Sequence, residues 1–462
     1  MRVSQVCGLL WELEQRYQLN YRRIEDVYYW PLVRNHLFNQ LMRESGGFGV
    51  AHSEYTGAMS KKLFKYFVNT LLHSPLLSGQ KDILVFDHIR KVRVNEKYID
   101  IYTSELIEQL RNKGVNYEVL DYDYLNNHFI PSDQERKFAD FEKLFSYFYR
   151  KTIRLKINED EQEVLREIER MLQDQLGYGD SLLTLIINEV RIFKSRYYVL
   201  KKFLKLKKPR LIYVVVSYGH KAMIAAAQDL GIKVVEIQHG IISKYHLGYS
   251  YPDVKQRIPY YPDQIFIFGE YWRGTANYPI AQSNLIEYGL PHLTRFLSDK
   301  INTVPKKKQI LFISQGTIGK ELSLQALELA QRLHDYQIVY KLHPGEYDRW
   351  ESEYPALVEA LNLAHFTVID NNRIGLHQIQ AESEFQVGVY STAIYEGLAQ
   401  GCKTIIMNSA GMEYVEDLID KGFASVASNA DEIILAMHEI KEITVDASYF
   451  FANNTQLGEM RS

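Results

Sequence analysis

Short runs of apolar, largely β-branched residues recur along this chain, each followed by a stretch with helical spacing, in two series separated by a proline- and lysine-bearing segment. In the first series the pattern predicts strands at 83–86, 117–120, 211–216, 233–237 and 265–268, with helices at 102–113 and 221–230. In the second it predicts strands at 310–314, 337–342, 367–369, 385–389 and 404–407, with helices at 321–333, 393–400 and 430–440. A helix between two strands returns the chain to the same end of the sheet, so repeated units of this kind build a parallel sheet with helices on both faces. Residues 290–308, with Pro291, Pro305 and Lys306-Lys307-Lys308, read as the linker between two α/β lobes. Two such lobes leave a cleft, and open α/β sheets bind ligands at the carboxyl ends of their strands.

The remaining segments are helical in pattern. Residues 1–75 form an extension in which Val27, Trp30, Leu32, Val33, Leu37 and Leu41 make a one-sided apolar stripe. Residues 61–67 are basic and amphipathic, and either pack on the body or lie on an anionic membrane surface. A charged helical insertion occupies 132–206, and the basic, apolar run 201–208 is either a solvated helix end or a second membrane contact. The expected division is an extension at 1–75, a first lobe at 76–300 carrying the insertion 132–206, a second lobe at 301–445 and a tail at 446–462.

Composition narrows the partners. A formal net charge of −3 argues against a dedicated nucleic-acid binder. Two distant cysteines, Cys7 and Cys402, offer neither metal spacing nor a disulfide framework, which suits a reducing compartment. Glu12, Glu14 and Arg16 stand where a signal peptide needs apolar residues, and no apolar run reaches the ~20 residues that span a bilayer. The expected location is the cytoplasm, including the inner face of the cell membrane. The 34 tyrosines either suit a surface that meets sugars or reflect compositional drift.

Polar residues gather where the predicted strands end. Ser391-Thr392 opens the helix at 393–400, with Glu396 one turn on. Such a pair either caps the helix or, with the free N–H groups and the helix dipole, holds a phosphate, leaving Glu396 for ribose hydroxyls. Lys341-Leu342-His343-Pro344 puts a histidine at a strand end, where Pro344 holds the backbone extended, His343 can donate to a phosphate oxygen and Lys341 can add charge. Gln315-Gly316 lies in the first turn of the second lobe, a glycine turn without a full phosphate-binding fingerprint. In the first lobe, Gln238-His239-Gly240 ends a strand, and His239 is the first candidate for a general base, with Asp87 in reserve. Tyr218, His220 and Tyr249 are candidates for the wall that receives an acceptor.

The His-Pro at 343–344 and the Ser-Thr at 391–392, set in a C-terminal Rossmann-like lobe, resemble the motifs of bacterial GT-B glycosyltransferases that use CMP-activated sugars, among them sialyltransferases and capsule Kdo transferases. The Gln238-His239-Gly240 turn is similar to the His-Gly turn of the CDP-glycerol glycerophosphotransferases of teichoic acid synthesis. The resemblance covers roughly residues 210–440 and implies two Rossmann-like lobes facing a central cleft. It implies nucleotide and phosphate contacts for His343, Ser391 and Thr392, and a catalytic histidine at 239. The sialyltransferase group carries an acidic pair before glycine in its first lobe; this chain has Gln-His-Gly there, so the base is either His239 or a residue elsewhere such as Asp87. The GT-B resemblance implies a metal-independent reaction without a cofactor. The implied substrates are a nucleotide-sugar donor, CMP-linked for preference, and a capsule or lipopolysaccharide glycan or its lipid-linked form. A CDP-polyol phosphotransferase, a nucleotide-sugar 2-epimerase and a non-catalytic binding protein remain alternatives.

Overall fold

The computed structural model describes residues 2–44, 59–94, 97–252, 254, 256–300, 304–440 and 446–453. Two parallel sheets organise them. The first contains β1 (Ile83–Phe86), β2 (Tyr117–Asp121), β3 (Arg136–Phe138), β4 (Leu211–Val215), β5 (Lys233–Ile237), β6 (Gln264–Ile267) and β7 (Leu285–Glu287), in the order β3-β2-β1-β4-β5-β6-β7. The second contains β8 (Lys307–Ile313), β9 (Gln337–Lys341), β10 (Phe366–Ile369), β11 (Ser383–Gly388), β12 (Lys403–Met407) and β13 (Ser425–Ala427), in the order β10-β9-β8-β11-β12-β13. Every pairing in both sheets is parallel. Each sheet therefore follows the doubly wound order, whose direction reverses between its first and fourth strands and opens a crevice there.

The interior strands β1, β2, β4, β9, β11 and β12 coincide with expectation to within two residues at either end, because burial on both faces makes them continuous apolar runs. The three-residue edge strands β3, β7 and β13 carry too few apolar side chains to show in the pattern. The expected linker is mostly structured: Pro291–Lys300 is a helix and β8 begins at Lys307. Its lysines are tied down, Lys306 to the Gln380 carbonyl at 2.9 Å, Lys307 to Glu382 at 2.6 Å and Lys308 to Asp335 at 3.0 Å.

The N-terminal helices Val3–Tyr17 and Trp30–Glu44 share a core with helix Leu182–Lys207 of the insertion. Val27, Trp30, Val33, Leu37 and Leu41 are buried as the stripe predicts, whereas Leu32 is only partly covered and lines a cavity. Arg34 is 1% exposed; it meets Glu14 through Nε at 2.7 Å and Nη2 at 2.9 Å, and donates to the Leu247 and Ser250 carbonyls. One buried ion pair thus fastens the extension to the loop after β5. At the other end of the chain, helix Ala447–Phe450 returns to the first lobe, where Ala452 N–H donates to the Phe268 carbonyl at 2.6 Å and Trp272 Nε1 to the Phe450 carbonyl at 2.8 Å. Tyr271 and Trp272 meet Tyr395 of the second lobe in the same apolar cluster.

The carboxyl ends of the two sheets face each other. A Cβ placed on Gly240, just beyond β5, would stand 3.4 Å from Thr392 Oγ1, just beyond β11. The chain is therefore α/β, with two Rossmann-like lobes facing a central cleft in the GT-B arrangement and a helical N-terminal extension.

Candidate active site

In the second lobe the crevice between β8 and β11 is bounded by Gln315-Gly316-Thr317 and Tyr390-Ser391-Thr392. Gln315 Oε1 accepts from Tyr390 N–H at 3.3 Å, and the Thr317 and Tyr390 hydroxyls are 2.8 Å apart, so the two sides brace each other. Ser391 is the N-cap of helix Thr392–Ala399, its Oγ accepting from Ala393 N–H at 3.3 Å. Capping and anion binding are compatible here, since the hydroxyl proton and the remaining first-turn N–H groups still point out of the helix. Arg349 adds a cation, with Nη2 3.2 Å from a Cβ built on Gly316.

His343-Pro344-Gly345-Glu346 forms a reciprocally capped turn. Gly345 N–H donates to His343 Nδ1 at 3.1 Å, while Glu346 accepts from His343 N–H at 2.6 Å. Buried Glu346 also accepts from Ser314 Oγ at 3.0 Å and Tyr354 Oη at 2.7 Å. Because Nδ1 is an acceptor, neutral His343 carries its proton on Nε2, and the exposed ring presents a donor to the cleft. Burial of its inner edge, with Arg90, Lys341 and Arg349 nearby, lowers the His343 pKa and keeps that neutral form. Lys341 is engaged elsewhere: its Nζ donates to Tyr347 Oη at 2.5 Å and the Asn371 carbonyl at 2.9 Å, and burial lowers its pKa to about 8. Glu396 lies one turn into the helix, where burial raises its pKa to about 7, with His377 Nδ1 3.5 Å from Oε2.

The first lobe answers with a ring cluster centred on His239. The three residues of its turn divide the work. Gln238 fixes the turn, donating to the Gly240 carbonyl at 2.8 Å and accepting from Phe268 N–H at 2.8 Å. Gly240 admits Thr392, and His239 occupies the cleft wall. Around His239 stand His88, Tyr102, Tyr218 and Tyr249, with ring centroids 6.1, 6.4, 6.1 and 6.4 Å away. Tyr249 Oη lies 3.3 Å from His239 Nδ1 and 2.5 Å from Glu236 Oε1, which also accepts from Ser217 N–H at 3.0 Å. Burial raises Glu236 to about 7 and lowers nearby Lys221 to about 7. Burial, reinforced by His246, His88 and Arg90, lowers His239 to about 3, so the imidazole is neutral at rest. Tyr218 also lines a cavity of about 290 Å³ with Lys221 and the polar stripe Asn35, His36, Asn39 and Arg43 of the N-terminal extension. Gly248 is obligatory beside it, because a Cβ there would stand 2.6 Å from Tyr218 Cδ1.

Two candidates sit apart from this cluster. Asp87 is fully buried between Lys91, 3.0 Å away, and Arg136, with Asp121 alongside; burial raises its pKa to about 7 against the pull of both cations. It underpins the loop in which Asp100 accepts from His88 N–H at 2.5 Å and Tyr102 N–H at 2.9 Å. His220 is packed inside the lobe against Phe86 and Tyr122, at 5.7 and 5.6 Å, and burial lowers its pKa to about 4. Sequence reasoning gave no role to Glu236, although a carboxylate inside the five-residue strand Lys233–Ile237 signals a purpose for its charge. Arg90, Tyr102 and His377 carried no such signal. Among the described residues, no group of three or more His, Cys, Asp or Glu side chains is arranged to hold a metal ion.

No protein-family model matches the chain, and neither does any curated protein. Among solved structures, it is similar to the UDP-GlcNAc 2-epimerase of Methanocaldococcus jannaschii, at 11% identity and a TM-score of 0.47, covering 81% of this chain and 96% of that one. The UDP-GlcNAc 2-epimerase of Neisseria meningitidis bound to UDP-GlcNAc gives 14% identity and a TM-score of 0.46, with the same shares covered. The spinosyn rhamnosyltransferase SpnG gives 10% identity and a TM-score of 0.42, over 77% of this chain and 92% of that one. At these scores the likenesses add nothing to the strand order, on which the architecture rests.

Proposed function

We propose that the protein is a nucleotide-sugar-dependent glycosyltransferase that moves a sugar, CMP-linked Kdo or a sialic-type acid for preference, to a growing capsule or lipopolysaccharide glycan. The observation that carries this reading is the opposition of a histidine relay and a phosphate grip across one contact, Gly240 against Thr392. Sugar transfer makes two demands in the transition state: charge building on the leaving phosphate must be stabilised, and the acceptor hydroxyl must lose a proton. The helix N-terminus at Ser391-Thr392 and the Nε2–H of His343 meet the first demand. His239 meets the second. Tyr249 has one proton; donating it to Glu236, its oxygen can only accept from His239 Nδ1–H, which leaves Nε2 as the basic atom. As His239 takes the acceptor proton, the Glu236 carboxylate stabilises the imidazolium through Tyr249. Glu396 holds the ribose, and the acceptor approaches over Tyr218; Tyr249, expected in the acceptor wall, is fully buried and serves the relay instead.

Thermal shift with CMP, CDP, UDP and GDP tests the grip, because a bound nucleotide raises apparent stability by mass action. One nucleotide is expected to stabilise wild type and to lose most of that effect in Thr392→Val. Incubation of each donor with and without a glycan acceptor tests the chemistry. Nucleotide release that requires acceptor, with no phosphorus in the product, supports the reading. Phosphorus in the product assigns polyol-phosphate transfer instead, and conversion of donor without acceptor assigns epimerisation.

A further inference from the structure

Helix Met59–Leu72 turns its apolar stripe away from the protein. Phe64 is 70% exposed and Leu72 65%, Phe67 and Leu71 are also exposed, and no residue of the helix is buried. A helix packed on a globular body normally directs such a stripe at the core. The neighbouring helix Asp140–Arg150 lies alongside, Asn69 donating to Asp140 at 2.6 Å, and exposes Phe145, Phe148 and Tyr149. Against it packs the C-terminal half of helix Leu182–Lys207, through Phe141 on Phe203 at 4.9 Å and an Arg196–Glu142 ion pair. That half exposes Tyr198, stacked on Tyr149 at 4.4 Å, and Leu206. Among the described residues, nothing covers the apolar surface of these three adjacent helices, which exceeds the singly scattered exposed residues common on proteins.

The charge on this face is mostly positive, although Lys143, Lys194 and Lys201 are met by Asp123, Glu25 with Asp26, and Asp229 of neighbouring elements. Segments 59–72, 143–156 and 191–210 contain many Lys and Arg residues and no Asp or Glu, in a chain whose net charge is −3. Lys61, Lys151, Lys202 and Lys205 stand exposed among the rings, and Lys202 Nζ is 4.3 Å from the Tyr198 ring centre. A second copy does not complement such a face, since a two-fold contact sets the patch on itself and opposes lysine to lysine. A surface that accepts aromatic side chains at its apolar boundary while supplying anions at its edge does complement it.

We infer that this three-helix face seats the protein on an anionic lipid bilayer. The face borders the cleft side of the first lobe: Lys65 donates to the Asn126 carbonyl in the loop after β2, and Tyr124 of that loop lies under Arg90, 5.5 Å from its guanidinium. An acceptor carried on a lipid would therefore be delivered to the lobe that holds His239. The inference rests on the proposed glycosyltransferase activity in assigning the acceptor to a lipid, but its test does not depend on turnover.

The full chain is sedimented with vesicles of phosphatidylcholine alone and with vesicles in which about one lipid in three is phosphatidylglycerol. Wild type is expected to co-sediment with the anionic vesicles only. Changing Phe64, Phe67 and Phe148 together to serine should weaken binding at least ~10-fold, and Lys61→Glu with Lys202→Glu about fivefold or more per site. These side chains are already in water, so circular dichroism and nucleotide thermal shift should match wild type. His239→Ala should bind vesicles as wild type does, which separates failure of the catalytic reading from failure of this one. Absence of wild-type binding to anionic vesicles overturns the inference, as does full binding by the triple serine variant. Concentration-dependent dimerisation that the triple variant abolishes assigns the face to a second copy instead.

Discussion

Tyr249 Oη stands between Glu236 and His239, 2.5 Å from the one and 3.3 Å from the other, so a carboxylate inside a strand is coupled to an imidazole on the cleft wall through a single hydroxyl. Tyr249→Phe removes both links and frees the His239 tautomer. Turnover should fall about 10- to 100-fold, the scale on which groups that orient a reacting residue act. Donor KM should hold. Steady-state kinetics separate kcat from KM, and a loss confined to KM would count against the relay.

His239 and Asp87 are distinguished by comparing activity with stability. His239→Ala should lower turnover by about 10²–10⁴ with an unchanged melting transition. Asp87→Asn removes one of the two carboxylates, Asp87 and Asp121, that serve Lys91 and Arg136, and should shift the melting transition while the folded variant keeps near-normal turnover. If Asp87→Asn abolished turnover while melting normally, the base would be Asp87.

His343 presents Nε2–H because Gly345 N–H occupies Nδ1. His343→Ala should cut turnover by roughly two orders of magnitude, the cost of one donor aimed at developing negative charge. Near-normal turnover by that variant would sink the assignment.

Arg34 and Glu14 couple the N-terminal helices to the loop at 247–250. Arg34→Met strands a buried carboxylate and should destabilise by about 3–5 kcal/mol, whereas the double change with Glu14→Leu should recover much of that loss. Denaturant unfolding of both variants is the measurement.

His128 is 4% exposed between Asp121, at 2.6 Å, and Asp140, at 3.2 Å. Burial opposes its charge, but the two carboxylates win and raise its pKa to about 9. With the folded pKa above the unfolded one, the stabilisation is complete below pH ~6.5 and is lost as pH rises through about 9. The swing is about 3 kcal/mol at full effect. Denaturant unfolding at pH values on either side of that window should show it in wild type and a flatter profile in His128→Gln.

The interior of both sheets was legible in the sequence because strands buried on two faces leave no choice but apolar runs. So were the positions of His343 and Ser391-Thr392, which stand just beyond the carboxyl ends of β9 and β11. The polar contacts between elements were not. Whether Lys341 reaches the cleft depends on Tyr347 and Asn371, and whether Asp87 does depends on Arg136, 49 residues away in sequence. Helix Met59–Leu72 shows the limit most clearly: its periodicity reads as amphipathic, but the side to which the apolar stripe points is set by what packs beneath it.

The return of the C-terminal helix to the first lobe has a mechanical consequence. Phe450, Trp272 and Tyr395 interlock across the two lobes where helix Ala447–Phe450 docks. Those rings hold the lobes together on that side, whereas Gln238, Tyr249 and Glu236 are kept in register by hydrogen bonds within their own lobe. The cluster around His239 is thus built wholly within the first lobe, and its distance from Thr392 is set by how the two lobes meet.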